Sequence, residues 1–115
     1  MKFMLLMYND EHVWNRMTPS EQEAAVDRLM RFSREVDAAG KLVLTQGLAP
    51  GAEAVSIRPS TGGGRIVTDG PYIETREVAG GYYIIECESR DEAVEWAMRL
   101  PLASWGLEVR RIHVE

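Results

Sequence analysis

Apolar positions follow two periodicities along the chain. Residues 2–8, KFMLLMY, are apolar without alternation, the pattern of a strand buried on both faces. Residues 9–17, NDEHVWNRM, replace that run with charges and one tryptophan and are predicted as a loop. At Thr18 the period changes. Thr18-Pro19-Ser20-Glu21 reads as a capping box with proline at the first helical position. Ala25, Leu29, Phe32, Val36 and Ala39 then repeat at steps of four and three, one apolar helical stripe. Gly40 is the expected left-handed stop.

Residues 41–51 predict a second strand and a turn. Residues 52–59 and 64–68 flank Ser60-Thr61-Gly62-Gly63, which predicts a hairpin with a glycine-rich loop. Residues 72–78 are expected to continue extended, and Gly80-Gly81 to break the chain before the strand at 82–88, YYIIECE. Ser89-Arg90-Asp91-Glu92 reads as a second capping box. The helix after it spans 91–100 and stops before Pro101, with Ala93, Ala97 and Leu100 as its stripe and Val94 and Trp96 beside it. A loop at 102–106 leads to a last strand, 107–114.

Without the hairpin this order is βαββαβ, so the fold class is α+β on a ferredoxin-like plan with an inserted β-hairpin. Both helices then cover one face of an antiparallel sheet. FMLLM and YYII are apolar on both sides, so the other face is apolar too. A second copy in a two-fold dimer is the expected cover, with a closed chamber between the two sheets.

The 115 residues predict one domain, 1–115, long enough for an ordinary core. A net charge of −5 argues against a nucleic-acid binder, which needs a basic face. Cys87 is the sole cysteine, so no intrachain disulfide forms, and a reducing cytoplasm fits. It reads as a small buried strand residue, because no His or Lys near it in sequence would activate it. No segment is long enough to span a bilayer, and FMLLMY is too short for a signal-peptide core.

Candidate chemistry gathers after the hairpin, in TDGPYIETREVAGGYYIIE, residues 68–86. Gly70 precedes proline and is expected to be extended, while Asp69 suits an Asx-type turn. Alternation places Tyr72, Glu74 and Arg76 on one face and Ile73, Thr75 and Glu77 on the other. These charges read either as a soluble edge or as carboxylates crowded so that one acts as acid and another as base. The catalytic candidates are therefore Asp69, Glu74 and Glu77. Arg58 and Arg110 lie in strand-like runs, where each would clamp an anionic ligand or neutralise Asp69 or Glu77. Tyr8, at a strand end, and Tyr72 complete the ligand-binding candidates. Asp10, Glu11 and His12 are read as a solvated loop rather than metal ligands. Trp14, Trp96 and Trp105 read as core before pocket lining.

Asp69-Gly70-Pro71-Tyr72-Ile73-Glu74-Thr75-Arg76-Glu77 resembles the DGPFAETKE signature of the DGPF branch of YCII-related proteins, with Tyr for Phe, Ile for Ala and Arg for Lys. The resemblance covers nearly the whole chain: MKFMLLMY, the helix ending AAG, the Gly81-Tyr82-Tyr83 strand, DEAVEWA, Pro101 and the EVR of 108–110. It implies a dimeric α+β barrel and no settled activity, with action on small molecules proposed for members. It also implies genes placed beside those of extracytoplasmic-function sigma factors. The wider group is associated with a His–Asp pair that His12 and His113 do not match.

Two functions follow as expectations. One is a cytoplasmic small-molecule enzyme of isomerase or lyase type, or a ligand binder, with its pocket between sheet and helices near the dimer interface of the barrel and with no cofactor and no metal. The other is a non-catalytic interaction or sensor module linked to a sigma factor through an acidic edge, Glu74 to Glu86.

Overall fold

In the computed structural model, described for residues 1–73 and 75–113, six strands and three helices follow the chain as β1 (Lys2–Asp10), α1 (Glu11–Arg16), α2 (Pro19–Ala38), β2 (Leu42–Gly47), β3 (Val55–Pro59), β4 (Arg65–Asp69), β5 (Glu77–Glu86), α3 (Arg90–Met98) and β6 (Gly106–Arg111). A single 3₁₀ turn, Gly51–Glu53, precedes β3. Four strands form one sheet in the order β2-β5-β1-β6, and all three pairings are antiparallel. β3 and β4 form a separate two-stranded ladder. The architecture is mixed α+β.

Alternation along β1 sorts its side chains. Phe3, Leu5, Met7 and Asn9 are buried, whereas Met4, Leu6 and Tyr8 are only half-buried. Across the ladder Phe3 faces Ile85, Leu5 faces Tyr83 and Met7 faces Gly81, so the buried residues of both strands share one face. The helices cover it. Phe32 of α2 meets the Tyr83 ring edge-on at 5.5 Å between centroids and Trp96 of α3 at 6.3 Å. Ala25, Val36, Ala93, Ala97, Leu100 and Leu102 complete this core, with Cys87. Burial pushes the Cys87 thiol up, which keeps it protonated and unreactive.

The helix ends follow local rules. The Thr18 side chain accepts from the Glu21 N–H, and the Glu21 carboxylate accepts from the Thr18 N–H. At the other end the Gly40 N–H reaches the Asp37 carbonyl and the Lys41 N–H the Val36 carbonyl, with Gly40 at φ 74°. This is a Schellman stop. Ala39 falls beyond the helix and is exposed, so the apolar stripe ends at Val36. The second cap differs from a reciprocal box. Ser89 Oγ accepts from the Glu92 N–H, but the Glu92 carboxylate reaches one residue further back, to the Glu88 N–H at 2.8 Å.

Glu92 also pairs with Lys41 at 2.9 Å, which ties the start of α3 to the entry of β2. The Glu88 N–H, then Lys41, holds its carboxyl below the usual range, and the N-terminal ammonium does the same for Glu86. A lowered folded pKa stabilises the fold above the unfolded value, about 4.3, and that contribution is lost as pH falls through the folded value. The expected result is a melting temperature that drops on acidification below about pH 4.5. Glu92→Gln should show a smaller drop than wild type in scanning calorimetry. An identical acid profile would remove Glu92 from this role.

Three expectations change. Residues 11–16 form α1 rather than a loop, because Asp10 caps them by accepting from the His12 N–H at 2.9 Å. Gly80-Gly81 does not break the chain: β5 runs through both, with an irregularity between Met7 and Tyr8 where Gly80 is the extra residue. Residues 72–76 bend before β5 starts at Glu77 instead of running extended, apart from Glu74, which lies outside the described residues.

The molecule measures 49 × 43 × 18 Å. Eighteen ångströms is about one helix layer on one sheet. Met4, Leu6, Tyr82 and Ile84 therefore occupy an open sheet face, with Leu44 42% exposed beside them.

Candidate functional site

The DGP turn is held from below. Ser56, 5% exposed, donates to the Gly70 carbonyl at 2.6 Å, and the Gly70 N–H donates to the Ala54 carbonyl at 2.7 Å. Gly70 has φ 105°, a conformation that side chains resist, so the expected extended Gly70 is corrected. The expected Asx turn is replaced as well: among the described residues Asp69 makes no side-chain hydrogen bond, and Ser56 fixes the turn. Asp69 ends β4 opposite Val55 and is exposed.

Beyond the turn the chain folds back beside the open sheet face. Tyr8, Pro71, Tyr72, Ile73, Thr75, Glu77, Val78 and Ala79 line one cavity of about 500 Å³. The structure thus brings Tyr8, Tyr72 and Glu77 together and leaves Asp69 out of the lining. Glu74 lies outside the described residues. Arg58 is turned toward the loop: it donates to the Tyr72 carbonyl, and its guanidinium lies 4.3 Å over the Tyr72 ring. It fixes one wall and is not engaged with Asp69 or Glu77.

Tyr8 points from β1 onto the open face, where its hydroxyl donates to Glu108 Oε1 at 3.4 Å. Glu108 in turn binds Arg110 at 2.5 Å. Desolvation, then the Glu108 charge, pushes the Tyr8 phenol up. Tyr8 is therefore a protonated donor across physiological pH. The Arg110 side chain is 77% exposed, so its pair adds little stability, and its charge stays within reach of solvent.

Among the described residues no group of three His, Cys, Asp or Glu could hold a metal ion. Asp10 caps α1, and Glu11 accepts from the Gly51 N–H at 2.9 and 3.2 Å. His12 and His113 are both exposed. Among the described residues no helix is long and apolar enough to cross a membrane. Trp14, Trp96 and Trp105 all pack against the core as expected, and Trp14 and Trp105 also line a second cavity, on the helix side, together with Asn9.

An antiparallel sheet covered on one side, with a loop cavity on the other, defines an open-faced α+β protein. The chain belongs to the YCII-related family: residues 1–114 match the YCII-related domain. It is also 38% identical over 104 residues to an uncharacterised protein of Rhizobium meliloti (strain 1021), covering 90% of this chain and 83% of that protein.

Proposed function

We propose that this YCII-related chain is a DGPF-branch protein that binds a small molecule on the open sheet face, in the cavity between Tyr8 and the signature loop. The observation that carries this reading is the shared lining of Tyr8, Tyr72 and Glu77 around about 500 Å³. Such a volume suits a small ligand. Tyr8 supplies a hydrogen bond to a ligand oxygen, and Glu77 supplies a carboxylate on the same cavity. A fixed phenol and a carboxylate are the groups that isomerase- or lyase-type proton transfer needs.

The sheet order suits a ferredoxin-like unit carrying β3 and β4 as an inserted hairpin. The apolar open face supports a homodimer in which a second copy covers Met4, Leu6, Tyr82 and Ile84 and roofs the cavity. The hairpin adds Val55, Ile57 and Val67 to the apolar surface, each more than half exposed.

The test is thermal shift across a library of aromatic and alicyclic acids, since a ligand specific for the folded state raises the melting temperature. A hit is expected to lose about tenfold in affinity, roughly 1.4 kcal/mol, in Tyr8→Phe while the variant's own melting temperature changes little. Hits retained at full affinity in both Tyr8→Phe and Glu77→Gln would place the ligand elsewhere.

A further inference from the structure

The helix side of the sheet holds a second cavity of about 510 Å³, on the opposite face from the signature loop. Its deep end is made by Asn9, Ala25 and Leu102, all buried. Trp14, Trp105 and Leu29 form apolar walls. The mouth is formed by exposed residues from separate elements, Val26 of α2, Leu48 after β2 and Ala52 of the 3₁₀ turn. Val26 is 45% and Leu48 49% exposed, so apolar side chains rim an opening to solvent.

Asn9 is the anomaly. It is 7% exposed, within a strand whose other residues on that face are apolar. Its carboxamide forms no hydrogen bond among the described residues. Yet among those residues no fully enclosed side-chain nitrogen or oxygen lacks a partner. Both statements hold together because the carboxamide opens onto the cavity that it lines. Enclosed without a partner, such an amide would cost about 1–3 kcal/mol; opening onto the cavity leaves it free to bond whatever occupies that space, water or a ligand group. The bulge at Gly80 makes room for it. A Cβ on Gly80 would stand 2.9 Å from Asn9 Oδ1 and 2.9 Å from the Trp105 ring.

The charge of the lining narrows the occupant. Among the described residues it includes no Lys or Arg, and its one charged group, Glu11, spends both carboxylate oxygens on the Gly51 N–H. An anionic ligand would find no counter-charge. Two indole walls favour flat rings.

We propose that this cavity is a binding site for an uncharged aromatic or alicyclic molecule of up to three rings, held by one polar group on the Asn9 carboxamide. It is a site separate from the cavity at Tyr8.

Neutral N-phenyl-1-naphthylamine, whose fluorescence rises in apolar surroundings, is the probe. With the full chain, saturable one-site binding is expected. Affinity should fall at least tenfold in Ala52→Trp, which blocks the mouth from an exposed position, and in Asn9→Ser. It should be unchanged in Tyr8→Phe. The anionic analogue 1-anilinonaphthalene-8-sulfonate should bind at least tenfold more weakly. Should Asn9→Ser not fold, Ala52→Trp still decides. Absence of saturable binding, full affinity in Ala52→Trp, or loss in Tyr8→Phe would each overturn the proposal. The last result would place the probe on the open sheet face.

Discussion

Tyr83→Ala is expected to destabilise the protein by about 3–5 kcal/mol, roughly a fifth or more of the stability of an ordinary domain. Tyr83 is 1% exposed. It sits in the middle of β5, between Leu5 of β1 and Thr45 of β2, and its ring meets Phe32 edge-on. Truncation would open a cavity at the junction of sheet and α2, lined by residues that cannot collapse because strand pairing holds their backbones. Tyr83→Phe separates packing from polarity. The hydroxyl lies 2.5 Å from Ser33 Oγ and 3.4 Å from the Leu29 carbonyl. Ser33 keeps its own bond to the Leu29 carbonyl at 3.0 Å, so the phenylalanine leaves no buried group unpartnered. Its cost should be about 1 kcal/mol. Urea titrations of both variants measure the gap. Equal losses would mean that the hydroxyl, not the ring, ties α2 to the sheet.

That core was legible in the sequence because each element announces itself locally. The Thr18–Glu21 box and the Gly40 stop mark α2, and an unbroken apolar run marks β1. The short α1 was missed because six residues are too few to show a stripe, and none of its residues is buried. Gly70 was misread because the rule for residues before proline describes side-chain sterics, from which glycine escapes. The position of the DGP segment in the chain was visible, but which residues converge was not. Tyr8 and Glu77 lie 69 positions apart and meet one cavity only through the β1–β5 register. The helix-side cavity was harder still. Asn9, Trp14, Ala25, Leu48 and Trp105 come from separate parts of the chain, and no local period joins them. Trp14 and Trp105 do pack against the core as expected, but nothing in their sequence setting shows that they also wall a void.

Gly81→Ala is expected to cost about 1–3 kcal/mol, a large effect for one methyl group. The sequence suggested a chain break here, whereas Gly81 is paired on both sides, with Met7 of β1 and Gly47 of β2. A Cβ would stand 2.7 Å from Met7 Cε, 2.9 Å from the Gln46 carbonyl oxygen and 3.3 Å from Gly47 Cα. Met7 is 2% exposed, so its terminal methyl has little free space to enter. The Gln46 oxygen belongs to the edge strand β2 and yields only if that strand shifts. Met7→Leu removes Cε at a cost below about 1.5 kcal/mol. In a double-mutant cycle, Gly81→Ala with Met7→Leu should therefore be less destabilised than the sum of the single changes, by about 1 kcal/mol. Strict additivity would locate the strain at Gln46 instead, with β2 displaced from β5. The same cycle bears on the helix-side cavity, because Gly80 is the bulged residue beside Gly81 and Leu48 donates to its carbonyl. A shifted β2 would move Gly47 and Leu48, two of the residues that line it. Loss of N-phenyl-1-naphthylamine binding in Gly81→Ala that Met7→Leu does not restore would then trace the cavity's shape to the close pairing of Gly81 with β2.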